Sequence, residues 1–330
     1  MVHFNASWAP PGEPPALLSA ERSSLDGTPL SCVAYGMLLL LFLQCADVLL
    51  QTNNRQAKRR WRLFTYISII FCLATIALGT ELKWTEMMFI DDRNFPGGPA
   101  TFGVTMFSYW IPMLCSACGV TLCWLADGFL LYRCLVVWDH QYWIIILPGI
   151  VFLGTISISI IWLLTTGLDL FPAQALDLGT AYWSLSVSQN ILVTILICAR
   201  LFYVRHRITS ALGSEHGRLY THICAMLVES AALYSIWGLI VLVAYTKNAT
   251  AVLNIFVMAL SQIQAVASLA IILRVGQGKA YTTNNEPRLP TIQFGAVDSG
   301  SGSNVSSGIT PDPTEKTIRY NCREIPSALL

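Results

Sequence analysis

Seven stretches of this chain are each apolar for about the 20 residues that a helix needs to cross a bilayer. They span residues 30–50, 63–82, 107–137, 142–165, 181–202, 223–245 and 251–273. Hydrocarbon offers the backbone no hydrogen-bond partner, so a chain that enters it folds as helices or as a closed barrel. Runs this long, without strand alternation, favour helices. Composition agrees: 54% of the 330 residues are hydrophobic and 12% are charged, against about 25% charged in a soluble domain. The expected fold is an all-α, seven-transmembrane-helix bundle with a disordered C-terminal tail. Ten tryptophans suit interfacial belts, and a net charge of +1 gives no basic field for nucleic acid.

Loop charges orient the bundle. The first loop holds Arg55, Lys58, Arg59, Arg60 and Arg62 without an acid, and the fifth holds Arg205, Arg207 and Arg218. The second loop leans acidic, with Glu86, Asp91 and Asp92 against Lys83 and Arg93. Basic loops stay in the cytosol, which puts the N-terminus outside and the C-terminus inside. Residues 1–29, with five prolines, read as a poorly ordered outer tail. Residues 275–330 read as a cytosolic tail, largely disordered from Thr282 onward, where Ser, Gly, Thr and Pro dominate. Sequons at Asn5 and Asn248 fall on the expected outer side and mark candidate glycosylation sites.

Two segments need separate treatment. Residues 102–138 are too long for one straight crossing and too short for two helices and a turn, so they read as one overlong or tilted helix. The second loop carries a Pro/Gly cluster from Pro96 to Pro99 that breaks any helix. Trp84, Phe89, Phe95 and Phe102 flank it, as an aromatic anchor at headgroup level or as a lid over an outer cavity.

The candidate chemistry is a layer of polar side chains inside the spans. Asp127 on the third span and Glu229 on the sixth reach a similar depth, joined by Asn190 on the fifth and Gln262 and Gln264 on the seventh. Ionisable groups at such depth usually face the bundle interior. The layer therefore reads as a structural hydrogen-bonded clamp, a ligand or ion site, or a proton relay. Asp47, Arg133 and Arg200 lie toward the cytosolic ends, where Asp47 can pair with either arginine. Ten cysteines sit mostly in apolar runs and read as small packing groups, Cys115 and Cys118 included. No cluster of histidines, catalytic serine motif or phosphate loop occurs, so catalysis, a metal and a cofactor are not expected.

The segment Trp124-Leu125-Ala126-Asp127-Gly128-Phe129-Leu130-Leu131-Tyr132-Arg133-Cys134, with Trp138, resembles the third-helix signature of a large group of uncharacterised integral membrane proteins of mushroom-forming basidiomycete fungi. Asn190 to Leu201 and Ile271 to Gly276 resemble that group's fifth helix and the end of its seventh. The resemblance covers roughly residues 30 to 280 and implies architecture without a mechanism. The topology is also similar to that of G-protein-coupled receptors, but their motifs are missing: Tyr132-Arg133-Cys134 lacks a preceding acid, and Ser235-Ile236-Trp237-Gly238 lacks a proline.

Two functional readings stand side by side, with a third behind them. One is a receptor-like sensor that binds a small ligand and a cytosolic partner. Another is a transporter or channel using the polar layer. The third is a structural or accessory membrane protein. All three share the lipid bilayer as a partner.

Overall fold

The computed structural model describes the backbone of residues 15–51, 57–168, 172–212, 214–247 and 249–284. The sequons at Asn5 and Asn248, and the expected tail from 285 onward, lie outside the described residues. Among the described residues the chain is helical and contains no strand. The helices are α1 (Pro15–Gln51), α2 (Ala57–Glu86), α3 (Gly98–Thr105), α4 (Trp110–Val137), α5 (Tyr142–Gly167), α6 (Pro172–Leu212), α7 (Ser214–Thr246) and α8 (Thr250–Asn284). A single π-helical turn, Met87–Asp91, extends α2.

Six of these helices, all but α3 and α7, are long and apolar enough to cross a membrane. In α7 the described side chains give a shorter apolar stretch, Ala231–Thr246. The chain is therefore a multi-pass integral membrane protein whose surface meets lipid. Ile146, Ile150, Leu153, Ile161 and Leu164 are exposed along α5, as a lipid-facing surface requires.

The seven long helices form a ring in chain order. Each packs beside the next, α1 with α2, α2 with α4, and so on to α7 with α8, and α8 then packs against α1. Short connections make such neighbours antiparallel. The ring gathers Arg60, Trp138, Arg200 and Arg274 toward one end, called here the basic end. Two helices fill the middle: α4 also touches α6, and α8 also touches α4 and α2. Most of the most apolar stretch of α8, 67%, is buried. By contrast α5 sits outside, against α4 and α6.

Three features differ from the sequence reading. First, α1 begins at Pro15, well before Leu30, and carries Pro29 inside it. A proline here removes one hydrogen bond, but packing against α8 compensates. Asn254 donates to the hydroxyls of Ser23 and Ser24 at 3.3 and 3.1 Å. Gly27 lets the two backbones approach, since a Cβ there would sit 2.7 Å from the Asn254 carbonyl oxygen. Small residues at such crossings are how membrane helices gain close packing.

Second, the overlong third span is two helices. Tyr109 is extended at φ −64°, ψ 154° and separates α3 from α4. Pro112 falls in the first turn of α4, where its missing N–H leaves no bond unmade. A helix of only eight residues, α3, fits where two full crossings do not.

Third, the aromatics of the second loop pack on one another. Trp84 stacks on Phe102 at 5.2 Å, and Phe95 meets Phe102 edge-on at 5.5 Å. Trp84 and Phe102 are buried with Met88 and Ile111. Gly97 and Gly98, at φ 94° and 79°, make the left-handed turn that brings α3 back against the π-helical turn and α1. The group is thus the core of a small cap, and Trp84 and Phe102 do not anchor in lipid. At the basic end, α8 continues as helix to Asn284, past the expected boundary at 274.

Candidate functional site

Asp127 lies ten residues before Val137, the last residue of α4, so about 15 Å from that end at 1.5 Å per residue. It shares a buried face with Cys123, Ala126, Leu130 and Cys134, spaced by three and four residues as one side of a helix demands. Its side chain is 1% exposed.

Both carboxyl oxygens are engaged by neutral donors. Oδ1 accepts from Gln264 Nε2 of α8 at 3.0 Å, and Oδ2 accepts from Ser186 Oγ of α6 at 3.2 Å. Ser186 also meets the Tyr234 hydroxyl of α7 at 2.8 Å. A serine has one hydroxyl hydrogen, so with Ser186 donating to Asp127, Tyr234 donates to Ser186. One turn along α6, Asn190 Nδ2 donates to the Ala231 carbonyl at 3.2 Å and to Ser235 Oγ at 3.0 Å on α7. Four helices, α4, α6, α7 and α8, thus meet in one buried polar network. Each interhelical bond contributes about 0.6–2 kcal/mol in a membrane.

Beside the network is a small cavity lined by Asn190, Tyr234, Gln264 and Ser268 among apolar residues such as Ala126 and Ala231. It has room for about one water molecule. Gln264 Oε1 is buried without a hydrogen-bond partner, as are both amide atoms of Gln189.

The structure brings Asp127, Gln264 and Asn190 together and separates two other members of the expected layer. Gln262 is buried, but its Nε2 donates to the Ala74 carbonyl of α2 at 3.1 Å. Two residues turn a helix by about 200°, so Gln262 and Gln264 face opposite sides. Glu229 does not join the cluster. Its carboxylate accepts from Arg274 Nη1 of α8 at 2.7 Å, with the Glu229 side chain 69% exposed. Glu229 precedes Tyr234 by five residues, about 140° around α7, so the face that carries Tyr234 inward carries Glu229 away.

Toward the basic end, Arg133 lies 4.6 Å over the Phe129 ring, and Arg200 lies 5.3 Å from the Trp138 ring and 5.6 Å from Tyr203. Trp138 also donates to the Leu196 carbonyl at 3.1 Å, tying the end of α4 to α6. Cation–π contacts of this kind suit arginines at a membrane boundary. Asp47 is exposed on α1.

Three participants escaped the sequence reading. Ser186 and Tyr234 carry no charge and look like ordinary span residues; the usable signal was Ser186 four residues before Asn190, on the same helix face. The third is Glu81 of α2, inside the second span. It is buried, with Oε2 accepting from Ser31 Oγ of α1 at 2.9 Å and Oε1 without a partner. Thr28 and Thr85 meet one turn away at 3.2 Å. An acid within a span is itself the signal, and Glu81 stands one residue from the expected boundary. No protein-family model, curated protein or solved structure matches the chain.

Proposed function

We propose that this protein is a receptor-like membrane sensor with seven crossings, its basic end in the cytosol, in which the Asp127 network sets the resting packing of the bundle. The observation that carries this reading is one carboxyl group, 1% exposed, held by neutral donors from two helices and extended through Ser186 to a third. Such a point is suited to a two-state element: a change in any one helix alters bonds in all of them. The basic residues expected in the first and fifth loops, most of which fall in α2, α6 and α7, and the ring-stacked Arg200 supply a cytosolic surface for a partner. No catalytic role is assigned.

The test is a distance measurement between labels at Val137 on α4 and Tyr203 on α6 in membranes. Replacing Asp127 by Ala is expected to add a second distance while the chain stays folded. A single unchanged distance, with lost stability alone, overturns the sensor reading.

That second outcome supports a structural or accessory membrane protein. A specific observation favours it: the cavity beside the layer holds about one water, so the interior is tightly packed.

A further inference from the structure

We propose that the cavity beside Asp127 is a binding site for one small monovalent cation, sodium in particular. This deepens the reading of the network as the element that sets the packing, and it rests on that reading.

Orientation comes first. An amide beside a carboxyl group turns its N–H toward it, and Gln264 Nε2 donates to Asp127 Oδ1 at 3.0 Å. That fixes Oε1 on the other side of the amide, where it is buried and has no hydrogen-bond partner. Gln264 is 3% exposed, and it lines the cavity. Asn190 is fixed in the same sense: Nδ2 donates to both Ala231 O and Ser235 Oγ, which uses its two hydrogens and leaves its oxygen as an acceptor. Tyr234 and Ser268, both hydroxyl-bearing, also line the cavity.

The donors are therefore neutral oxygens, which suit a hard cation. Neutral oxygens, there backbone carbonyls of unwound helices, coordinate sodium at the midplane of transporters. Charge sets the valence. Asp127 is the one acid in the network, and its hydrogen-bond partners are Ser186 and Gln264. One negative charge balances one positive charge, whereas calcium takes six to eight oxygens with several carboxylates among them. Among the described residues no group of three or more His, Cys, Asp and Glu is placed to hold a metal ion, which sets transition metals aside. Size agrees as well, because a cavity with room for about one water suits a bare small ion and not a hydrated one. A cation here is held by residues of α6, α7 and α8 and meets the Asp127 carboxyl group of α4 through Gln264, since Asp127 itself does not line the cavity; it stabilises the packed state by mass action.

The experiment uses the full chain in lipid nanodiscs at fixed ionic strength, with sodium, potassium or choline as the chloride salt. Thermal unfolding is read against cation concentration. Sodium is expected to raise the unfolding midpoint over choline in a saturable way, with potassium weaker. Asp127→Asn is expected to abolish the response, and Ser268→Ala to raise the half-saturating sodium concentration by about fivefold, the loss of one neutral ligand of roughly 1 kcal/mol. Equal midpoints in the three salts overturn the proposal, as does a sodium response that survives in Asp127→Asn. If Asp127→Asn does not fold, Ser268→Ala decides: an unchanged half-saturating concentration overturns the site. A bundle that responds to sodium but shows one Val137–Tyr203 distance keeps the site and removes the sensor reading. A second distance without a sodium response does the reverse.

Discussion

Asp127 and Glu229 bring the same carboxyl group into one bundle and meet opposite surroundings. Asp127 is 1% exposed and is held by a serine and an amide. Glu229 has a 69% exposed side chain and an arginine at 2.7 Å. The first is buried, and among the described residues its hydrogen-bond partners are neutral dipoles fixed by the fold. The second keeps a cation and an open face, where a charge pair contributes little beyond what its surroundings already supply. Both groups were reached by counting residues along a span. Depth is one coordinate; the angle around the helix is the other, and it advances about 100° per residue.

The contrast predicts a ranking of substitutions, read as unfolding free energy in detergent or nanodiscs. Asp127→Leu is expected to cost most, about 2–3 kcal/mol, because it leaves the buried donors of Ser186 and Gln264 without an acceptor. An equal loss in Glu229→Leu erases the distinction. Next comes Ser31→Ala, at about 1–2 kcal/mol, since it removes the hydroxyl that donates to the buried Glu81. If this variant is neutral, burial alone does not make a carboxyl group depend on its donor, and the account of Asp127 weakens with it.

Tyr234→Phe sharpens the comparison within the network. It removes the hydroxyl that donates to Ser186 and keeps the ring, at about 0.5–1.5 kcal/mol. Its effect should shrink in an Asp127→Asn background, and a double-mutant cycle measures that coupling. The smallest change is expected from Glu229→Gln, within the roughly 0–1 kcal/mol of an exposed ion pair. Added salt should reduce its effect further, while leaving that of Asp127→Leu unchanged.

The architecture was legible because lipid restricts the backbone to few solutions. Apolar length alone located the helices that became α1, α2, α4, α5, α6, α7 and α8. What failed at the boundaries failed for tertiary reasons. The α1 extension through Pro29 depends on Asn254, more than two hundred residues away, and on the missing Cβ of Gly27. The break at Tyr109 accompanies a buried aromatic group, Trp84 with Phe102, that periodicity cannot reveal. In the site, Asp127, Asn190 and Gln264 were readable as polar atoms with nowhere else to go. Ser186 and Tyr234 were not, because a hydroxyl in a span can satisfy itself on its own helix, as Thr194 does with the Asn190 carbonyl at 2.7 Å. Glu229 was misplaced because its cation, Arg274, lies forty-five residues on, in α8.

The closure of α8 onto α1 has a consequence for how the molecule is made. Ribosomal synthesis delivers α1 well before α8, with Ser23, Ser24 and Gly27 turned toward a partner that emerges more than two hundred residues later. Until then α2 lacks the amide of Gln262 at Ala74, and α4 lacks the amide of Gln264 at Asp127. The newborn chain therefore waits in the bilayer as an open arc with polar groups exposed along one seam. Arrival of α8 closes that seam on both sides at once, like a keystone. A transcript cut short before Thr250 leaves the seam permanently open, a form for cellular quality control to recognise and remove.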